Sequence, residues 1–71
     1  MDLNLLVHLD VLLREKNVTR ASEQLGITQP AMSNILRRLR VLFNDPLLIR
    51  SSEGMTATER ALELQPRIRE V

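Results

Sequence analysis

The fold of this chain is decided by one stretch, Thr28-Gln29-Pro30-Ala31-Met32-Ser33-Asn34-Ile35-Leu36-Arg37-Arg38-Leu39-Arg40. Placed on an α-helix at about 100° per residue, its side chains divide into an apolar face and a polar face. Thr28 is a typical N-cap residue, and Pro30 falls in the first turn, where a missing N–H breaks no helical hydrogen bond. We therefore predict an amphipathic helix over residues 28–42, whose polar face carries Gln29, Pro30, Ser33, Asn34, Arg37 and Arg38.

The polar face changes in character along the predicted helix. Its first turns carry short amide and hydroxyl groups, and its later turns carry arginines. Amides and hydroxyls can read base edges in a DNA major groove, and guanidinium groups can hold phosphates. Our hypothesis is that this helix enters a major groove as a recognition helix and that the rest of the chain presents it.

The distribution of charge is more informative than the formal net charge, which is only +1. Residues 28–50 carry four arginines and one aspartate, a local charge of +3. Residues 1–27 and 51–71 each carry three basic and four acidic side chains. The excess of positive charge therefore coincides with the predicted recognition helix and the segment after it. Charge alone leaves open the alternative that these arginines only solvate a polar face.

Composition excludes several kinds of site. The 71 residues suffice for one small domain, and no cysteine is present to form a disulfide or a thiolate metal site. With one Phe and no Trp or Tyr, stacking on unpaired bases is not expected. One histidine and no glycine-rich phosphate loop leave no catalytic constellation, so we expect no enzyme, cofactor or metal. Without a recognisable signal peptide or membrane span, we expect a cytoplasmic protein with no membrane partner.

The first helix is predicted over residues 3–15. Five leucines between residues 5 and 13 span about a third of its circumference, as a core face does. Val7 and Val11, one turn apart, lie on the opposite side. They indicate either a surface for a partner, such as a second copy of the chain, or scattered exposed apolar side chains.

A short helix and a glycine turn precede the recognition helix. We predict Thr19 as the N-cap of a helix that ends near Leu25, and Gly26 as its C-cap. The small side chains of Ala21 and Ser22 suit a close helix crossing. A short helix, a glycine turn and an amphipathic helix together predict a helix-turn-helix, although other three-helix bundles can contain the same order.

A β-hairpin is predicted directly after the recognition helix. Pro46 should end that helix, since the residue before a proline avoids the helical region. Residues 47–50 and 55–57 are typical of short strands, and a turn containing Gly54 joins them. Such a hairpin is a wing, and Arg50 is the expected cation for the flanking DNA backbone or minor groove. The alternative is that Arg50 only ends an edge strand in solvent.

A last helix is predicted to run to the end of the chain. Its cap is either Thr58 or Thr56, the latter in a capping box with Glu59. A narrow apolar stripe recurs at Ala61, Leu64, Ile68 and Val71. The spacing is typical of a coiled-coil seam that joins two copies, but the stripe could instead pack on the first helix. Pro66 within the stripe should bend the helix.

These motifs resemble a known family, the LysR-type bacterial transcriptional regulators. The similarity to their N-terminal winged helix-turn-helix rests on Thr19-Arg20-Ala21-Ser22 and on Leu25-Gly26-Ile27-Thr28-Gln29-Pro30-Ala31-Met32-Ser33. It continues through residues 36–39, 45–50 and 58 and covers essentially the whole chain. Residues 2–6, Asn34 and Gly54-Met55 are most similar to the subgroup of nodulation and aromatic-degradation regulators.

The resemblance implies a mainly α fold with two parts. Residues 1–57 would form a winged helix-turn-helix with a three-helix core and a short β-hairpin wing, and residues 58–71 would begin a linker and dimerisation helix. It implies binding of double-stranded DNA as a homodimer on an interrupted inverted repeat, with a tetramer possible for the full-length protein. A small-molecule effector would act only through a domain C-terminal to residue 71. By position, Gln29, Pro30, Ser33 and Asn34 match base-reading residues, and Thr28 and Arg50 match residues that make backbone or wing contacts.

The chain departs from the family pattern at three positions. Many members carry Arg where this chain has Asn34, which moves the expected preference from guanine toward a base such as adenine. Many carry a basic residue in place of Glu53, and an acid at the wing tip repels phosphate. Glu59 replaces a common proline, and an acid in a first turn suits the helix dipole.

Two functions follow from the sequence. The first is sequence-specific DNA binding, in which Arg37, Arg38 and Arg50 supply phosphate affinity. The second is a winged-helix module whose polar face binds protein and which assembles through its last helix. The low net charge and Glu53 favour the second.

Overall fold

Four helices and one β-hairpin make up the fold in the computed structural model, which describes residues 3–70. The hairpin is antiparallel and pairs Leu48 with Ala57 at its base and Ser51 with Gly54 at its tip. The mainly α winged helix-turn-helix predicted from the sequence is confirmed. In chain order the elements are α1 (Leu3–Glu15), α2 (Val18–Leu25), α3 (Gln29–Phe43), β1 (Leu48–Ser51), β2 (Gly54–Ala57) and α4 (Glu59–Arg69).

One aliphatic core joins the helices to the base of the hairpin. α1 lies at its centre, because it contacts α2, α3 and α4. The small side chains of Ala21 and Ser22 are buried at the helix crossings, as their size predicts. The largest fully buried side chains are Leu9, Leu12, Leu13, Met32, Leu39, Leu47 and Leu48.

Val11 belongs to this core and not to an exposed stripe. Its side chain is 6 % exposed, whereas Val7, one turn earlier, is 54 % exposed. The expectation that both valines form one partner surface is therefore wrong for Val11. The reason is that three helices pack on α1 and bury more of its circumference than a single apolar face.

The caps of α2 and α3 fix the helix-turn-helix. Asn17, and not the predicted Thr19, caps α2, and its Oδ1 accepts the N–H of Arg20 at 2.8 Å. Gly26 ends α2 with φ +67°, in the left-handed region that the glycine predicted. Thr28 caps α3 as expected, and its Oγ1 accepts the N–H of Ala31 at 3.2 Å.

The segment between α3 and β1 turns sharply into the core. Asn44 ends α3 in the left-handed region, and Leu47 follows with φ +64°. Leu47 is fully buried, and because its positive φ is incompatible with a strand, β1 begins at Leu48, one residue later than predicted. The carboxylate of Asp45 accepts the N–H of Leu47 at 2.9 Å, and the N–H of Thr58 donates to the carbonyl of Leu47 at 3.0 Å.

Thr58 joins this segment to α4. Its Oγ1 accepts the N–H of Ala61 at 3.1 Å, which identifies Thr58 and not Thr56 as the cap. The same hydroxyl donates to Asp45 Oδ2 at 2.6 Å. One threonine therefore caps α4 and holds the start of α4 against the end of α3.

The apolar stripe of α4 packs against the domain itself. Ala61 is fully buried, and Leu64 and Ile68 are half-buried against the same core. Ala61 therefore does not lie in a coiled-coil seam between two copies; α4 packs on α1, which was the alternative for this stripe. α4 continues as a helix through Pro66, and Val71 lies outside the described residues.

We expect acid to destabilise the fold through Asp45. The hydrogen bonds from Thr58 and from the backbone of Leu47, and more weakly the charge of Arg60, hold the pKa of Asp45 below its ordinary value of 3.8. Because the pKa of Asp45 is lower in the folded than in the unfolded protein, its ionised form stabilises the fold at pH values above the unfolded pKa. This stabilisation is lost as the pH falls through the folded pKa. Asp45→Asn should lower the melting temperature at neutral pH and reduce its decline below about pH 4.

Thermal unfolding followed by circular dichroism across this pH range measures the effect. Glu53→Gln is the matched control, because Glu53 is an exposed carboxylate whose side chain makes no hydrogen bond or ion pair with the described residues. The control should keep the melting temperature of the wild type at neutral pH. Equal melting temperatures for Asp45→Asn and wild type at both ends of the range would contradict the role of Asp45.

We expect Lys16→Gly to stabilise the fold. Lys16 follows α1 with φ +51°, a backbone conformation that is unfavourable for a side chain with a β-carbon. Glycine removes the strain of this conformation, but it also raises the entropy of the unfolded chain. The net effect should be to raise the free energy of unfolding by roughly 0.5–1 kcal/mol. Urea unfolding measures the gain, and Lys16→Ala, which keeps the β-carbon, should not show it.

Candidate nucleic-acid interface

A cleft of about 860 Å³ lies between the helix-turn-helix and the wing. α3 contributes Gln29, Ser33 and Arg37, which are spaced four residues apart and so form one row along the helix. The wing contributes Arg50 to the same cleft. The structure therefore brings together four of the predicted DNA-binding residues in one concave surface.

A second row of predicted residues runs along α3 outside the cleft. Pro30, Asn34 and Arg38 are also spaced four apart, and all three are exposed. The two rows touch where Arg37 Nη1 donates to Asn34 Oδ1 at 3.4 Å. Arg38 makes no hydrogen bond or ion pair with the described residues, so its guanidinium is free to meet a ligand.

Thr28 lies at the entry of α3, next to both rows. Its hydroxyl oxygen already accepts the N–H of Ala31 as the helix cap, and the residue remains exposed. The cap leaves the hydroxyl proton of Thr28 available to a phosphate oxygen. A capping role and a backbone contact are therefore compatible at this position.

Four of the lining residues that were not predicted from the sequence carry basic, amide or hydroxyl side chains and lie between α1 and α3. They come from the turn after α1 and the start of α2, and the cations among them line the same cleft as Gln29, Ser33 and Arg37. The net charge of residues 1–27 gave no sign of the cations among them, because carboxylates in that segment balance its basic side chains. Lys16 has a positive φ, which the sequence did not indicate. The four residues are Lys16, Asn17, Thr19 and Arg20.

The cleft is predominantly positive. Five basic side chains line it, against the carboxylates of Glu15 and of Glu53 at the wing tip. A surface with this excess of cations attracts a polyanion and concentrates it near the polar row of α3. The basic residues are Lys16, Arg20, Arg37, Arg40 and Arg50.

Arg40 differs from the other arginines of the cleft. Its Nε donates to the carbonyl of Pro46 at 2.8 Å, and an Nη donates to the carbonyl of Leu48 at 2.7 Å. The charge count over residues 28–50 included this arginine as if it were a solvated cation. Its guanidinium is instead directed at the backbone between α3 and the wing.

Metal-ligand clusters and membrane spans are absent from the part of the chain that the structure describes. Within residues 3–70, no group of three or more His, Cys, Asp or Glu side chains is arranged to hold a metal ion. None of the helices described there has the length and apolar character needed to cross a membrane.

Comparison with known proteins identifies the family. Residues 3–62 match the family model described as a bacterial regulatory helix-turn-helix protein of the lysR family. The chain is 46 % identical over 70 residues to the HTH-type transcriptional regulator LeuO of Escherichia coli (strain K12), covering 99 % of this chain and 22 % of LeuO. It is 53 % identical over 68 residues to SyrM of Rhizobium etli, covering 96 % of this chain and 20 % of SyrM. The chain thus spans about a fifth of the length of these relatives.

The predicted subgroup is confirmed by a nodulation protein. Nodulation protein D 1 of Rhizobium leguminosarum bv. phaseoli is 46 % identical over 70 residues, covering 99 % of this chain and 22 % of that protein. NahR of Pseudomonas putida, a transcriptional activator, is 48 % identical over 64 residues, covering 90 % of this chain and 21 % of NahR.

Solved structures show the same fold. The probable transcriptional regulator PA0477 from Pseudomonas aeruginosa superposes with a TM-score of 0.91 at 39 % identity, over 97 % of this chain and 23 % of that one. The BenM_DBD of the catB site 1 DNA complex superposes with a TM-score of 0.88 at 24 % identity, over 99 % of this chain and 79 % of that one. The chain belongs to the LysR family of bacterial regulatory helix-turn-helix proteins and contains their winged helix-turn-helix.

Proposed function

We propose that this domain binds double-stranded DNA sequence-specifically, as part of a transcriptional regulator, with α3 in the major groove. The observation that carries the proposal is the positive cleft, which α3, the wing and the turn between α1 and α2 line together. A recognition helix flanked by cations on two sides has the layout needed to hold phosphates on both sides of a groove. The proposal is for a binding module and includes no catalytic step, cofactor or metal.

We assign base reading to the two rows of α3. Gln29 and Ser33 lie in the cleft row, and Asn34 lies in the outer row with Pro30. An Asn amide can bond adenine N6 and N7 together, so Asn34 is the proposed source of this domain's own base preference. Its Oδ1 accepts a long hydrogen bond, 3.4 Å, from Arg37 Nη1.

Phosphate affinity is assigned to cations at the edges of these rows. Arg37 and Arg38 follow the base-reading turns of α3, and Arg50 projects from the wing. Lys16 and Arg20, from the turn after α1 and from α2, line the same cleft. Basic side chains at these places can bind phosphates of both DNA strands that border the groove.

We propose that two copies associate and place their α3 helices on an inverted repeat. On α4, Leu62 is 52 % exposed, and Leu64 and Ile68 keep part of their surface outside the core. On α1, Val7 is 54 % exposed. Because Val11 and Ala61 are buried within one copy, the proposed interface excludes them.

The remaining features of the regulator are proposals that rest on its family. They are a boundary near residue 57 between the DNA-binding domain and the linker helix, a tetramer in the full-length protein, and a small-molecule effector bound by a further domain. The cytoplasmic location expected from the sequence also stays a prediction.

Gln29→Ala and Arg38→Ala should weaken DNA binding in different ways. For sites that the wild type selects from a random duplex pool, Gln29→Ala should lose about 1–3 kcal/mol of discrimination against random duplex. Arg38→Ala should weaken all sequences alike and lower the slope of log affinity against log salt by about 1. Fluorescence anisotropy at several salt concentrations measures both quantities.

Two results would contradict the proposal. Equal losses on selected and random duplex for Gln29→Ala would remove its base-reading role. Salt-independent or undetectable binding of the wild type to any duplex would reject DNA binding and would favour the alternative, a protein-binding winged-helix module.

Leu62→Asp should reduce self-association of residues 1–71. A carboxylate at an apolar contact loses its hydration on association, which disfavours the dimer. Sedimentation equilibrium gives the mass, and Val41→Asp is the matched control, because Val41 is an exposed apolar residue of α3, at 78 %. The same mass for both variants would contradict the interface on α4.

A further inference from the structure

We propose that Arg40 is a positioning residue, which acts on DNA through the wing and not through its own charge. The proposal rests on the proposed DNA-binding function. It assigns to Arg40 the task of holding β1 against α3, so that Arg50 stands opposite the recognition helix across the cleft.

The first step is the geometry of the guanidinium. Arg40 lies in the last turns of α3, and its two hydrogen bonds end on the carbonyls of Pro46 and Leu48, at 2.8 and 2.7 Å. These carbonyls belong to the residues on either side of Leu47, where the chain turns from α3 toward the wing. A planar guanidinium has donors at fixed angles, so two bonds to one backbone segment define an orientation.

The second step is that Arg40 differs from the exposed arginines around it. Arg38, also on α3, is exposed and makes no hydrogen bond or ion pair with the described residues. Arg40 is half-buried, and two of its five N–H groups are used by backbone carbonyls. Its guanidinium lines the cleft but is held by the protein's own backbone, unlike that of Arg38.

The third step connects Arg40 to Arg50. Leu48 is the first residue of β1, and Arg50 follows two residues later, on the same face of the strand. An isolated two-stranded hairpin is at best marginally stable, so its orientation depends on what holds its base. The bond from Arg40 to Leu48 holds that base, and Leu48 itself is fully buried.

A double-mutant cycle tests the proposal. Affinity for a random-sequence duplex is measured for Arg40→Met, Arg40→Lys, Arg50→Ala and the double variant Arg40→Met with Arg50→Ala. Each single change should weaken binding roughly five- to tenfold, the effect of one lost phosphate contact at moderate salt. Arg40→Lys should lose as much as Arg40→Met, because lysine keeps the charge but not the two-carbonyl geometry.

The double variant decides the question. If Arg40 acts through Arg50, the double variant should lose no more affinity than one of the single variants does. Arg38→Met is the matched control: when it is combined with Arg50→Ala, the fold-loss of affinity should be the product of the two single losses. Wild-type affinity of Arg40→Lys, or multiplied losses for Arg40→Met with Arg50→Ala, would overturn the proposal.

A second measurement is independent of DNA. Hydrogen exchange of the wing amides, residues 48–57, should become faster in Arg40→Met and Arg40→Lys but not in Arg38→Met. Unchanged exchange in both Arg40 variants would overturn the positioning role. If the wild type binds no duplex while exchange changes as expected, the proposed DNA-binding function fails and the hold of Arg40 on the wing stands. Arg40→Lys keeps the test valid if Arg40→Met does not fold.

Discussion

Two consecutive buried leucines, Leu47 and Leu48, impose the constraint on which the rest of the domain depends. Both side chains are fully buried, so the chain enters the core immediately after α3, and its backbone polar groups lose their water there. Hydrogen bonds from side chains and from the first residue before α4 replace the hydrogen bonds to water. Asp45 accepts the N–H of Leu47, Arg40 donates to the carbonyls on both sides of it, and Thr58 donates its N–H to the carbonyl of Leu47. α3, the wing and α4 are therefore fixed relative to one another at one place.

Much of the fold could be predicted because its signals are local. Gly26 and Thr28 mark the helix-turn-helix through the backbone conformations that their residue types favour, and both are found in those roles. The alternation of strand and turn signals around Gly54 located the wing to within one residue at either strand start. The row of Gln29, Ser33 and Arg37 followed from helical periodicity, which determines the face but not what stands opposite it.

The errors arose where tertiary packing overrides the local pattern. Val11 has a periodicity that fits an exposed stripe, but α1 is packed on more sides than one amphipathic face predicts, and the stripe of Ala61 packs on α1 and not on a second copy. Thr19 is a good cap by type, and Asn17, which has the extended backbone conformation, takes that role. Arg40 belongs by composition to the basic segment, and only its distances to two carbonyls separate it from the exposed arginines.

The outer row of α3 has a consequence for how such a domain diverges. Asn34 and Arg38 are exposed and lie outside both the core and the cleft. Replacing Asn34 leaves no cavity and strands no buried polar group, which are the usual causes of large losses of stability. Under the proposed DNA-binding function, single substitutions at this row would change the surface presented to DNA without disturbing the buried leucines or the junction at Asp45. Foldability and target preference would then depend on separate sets of residues.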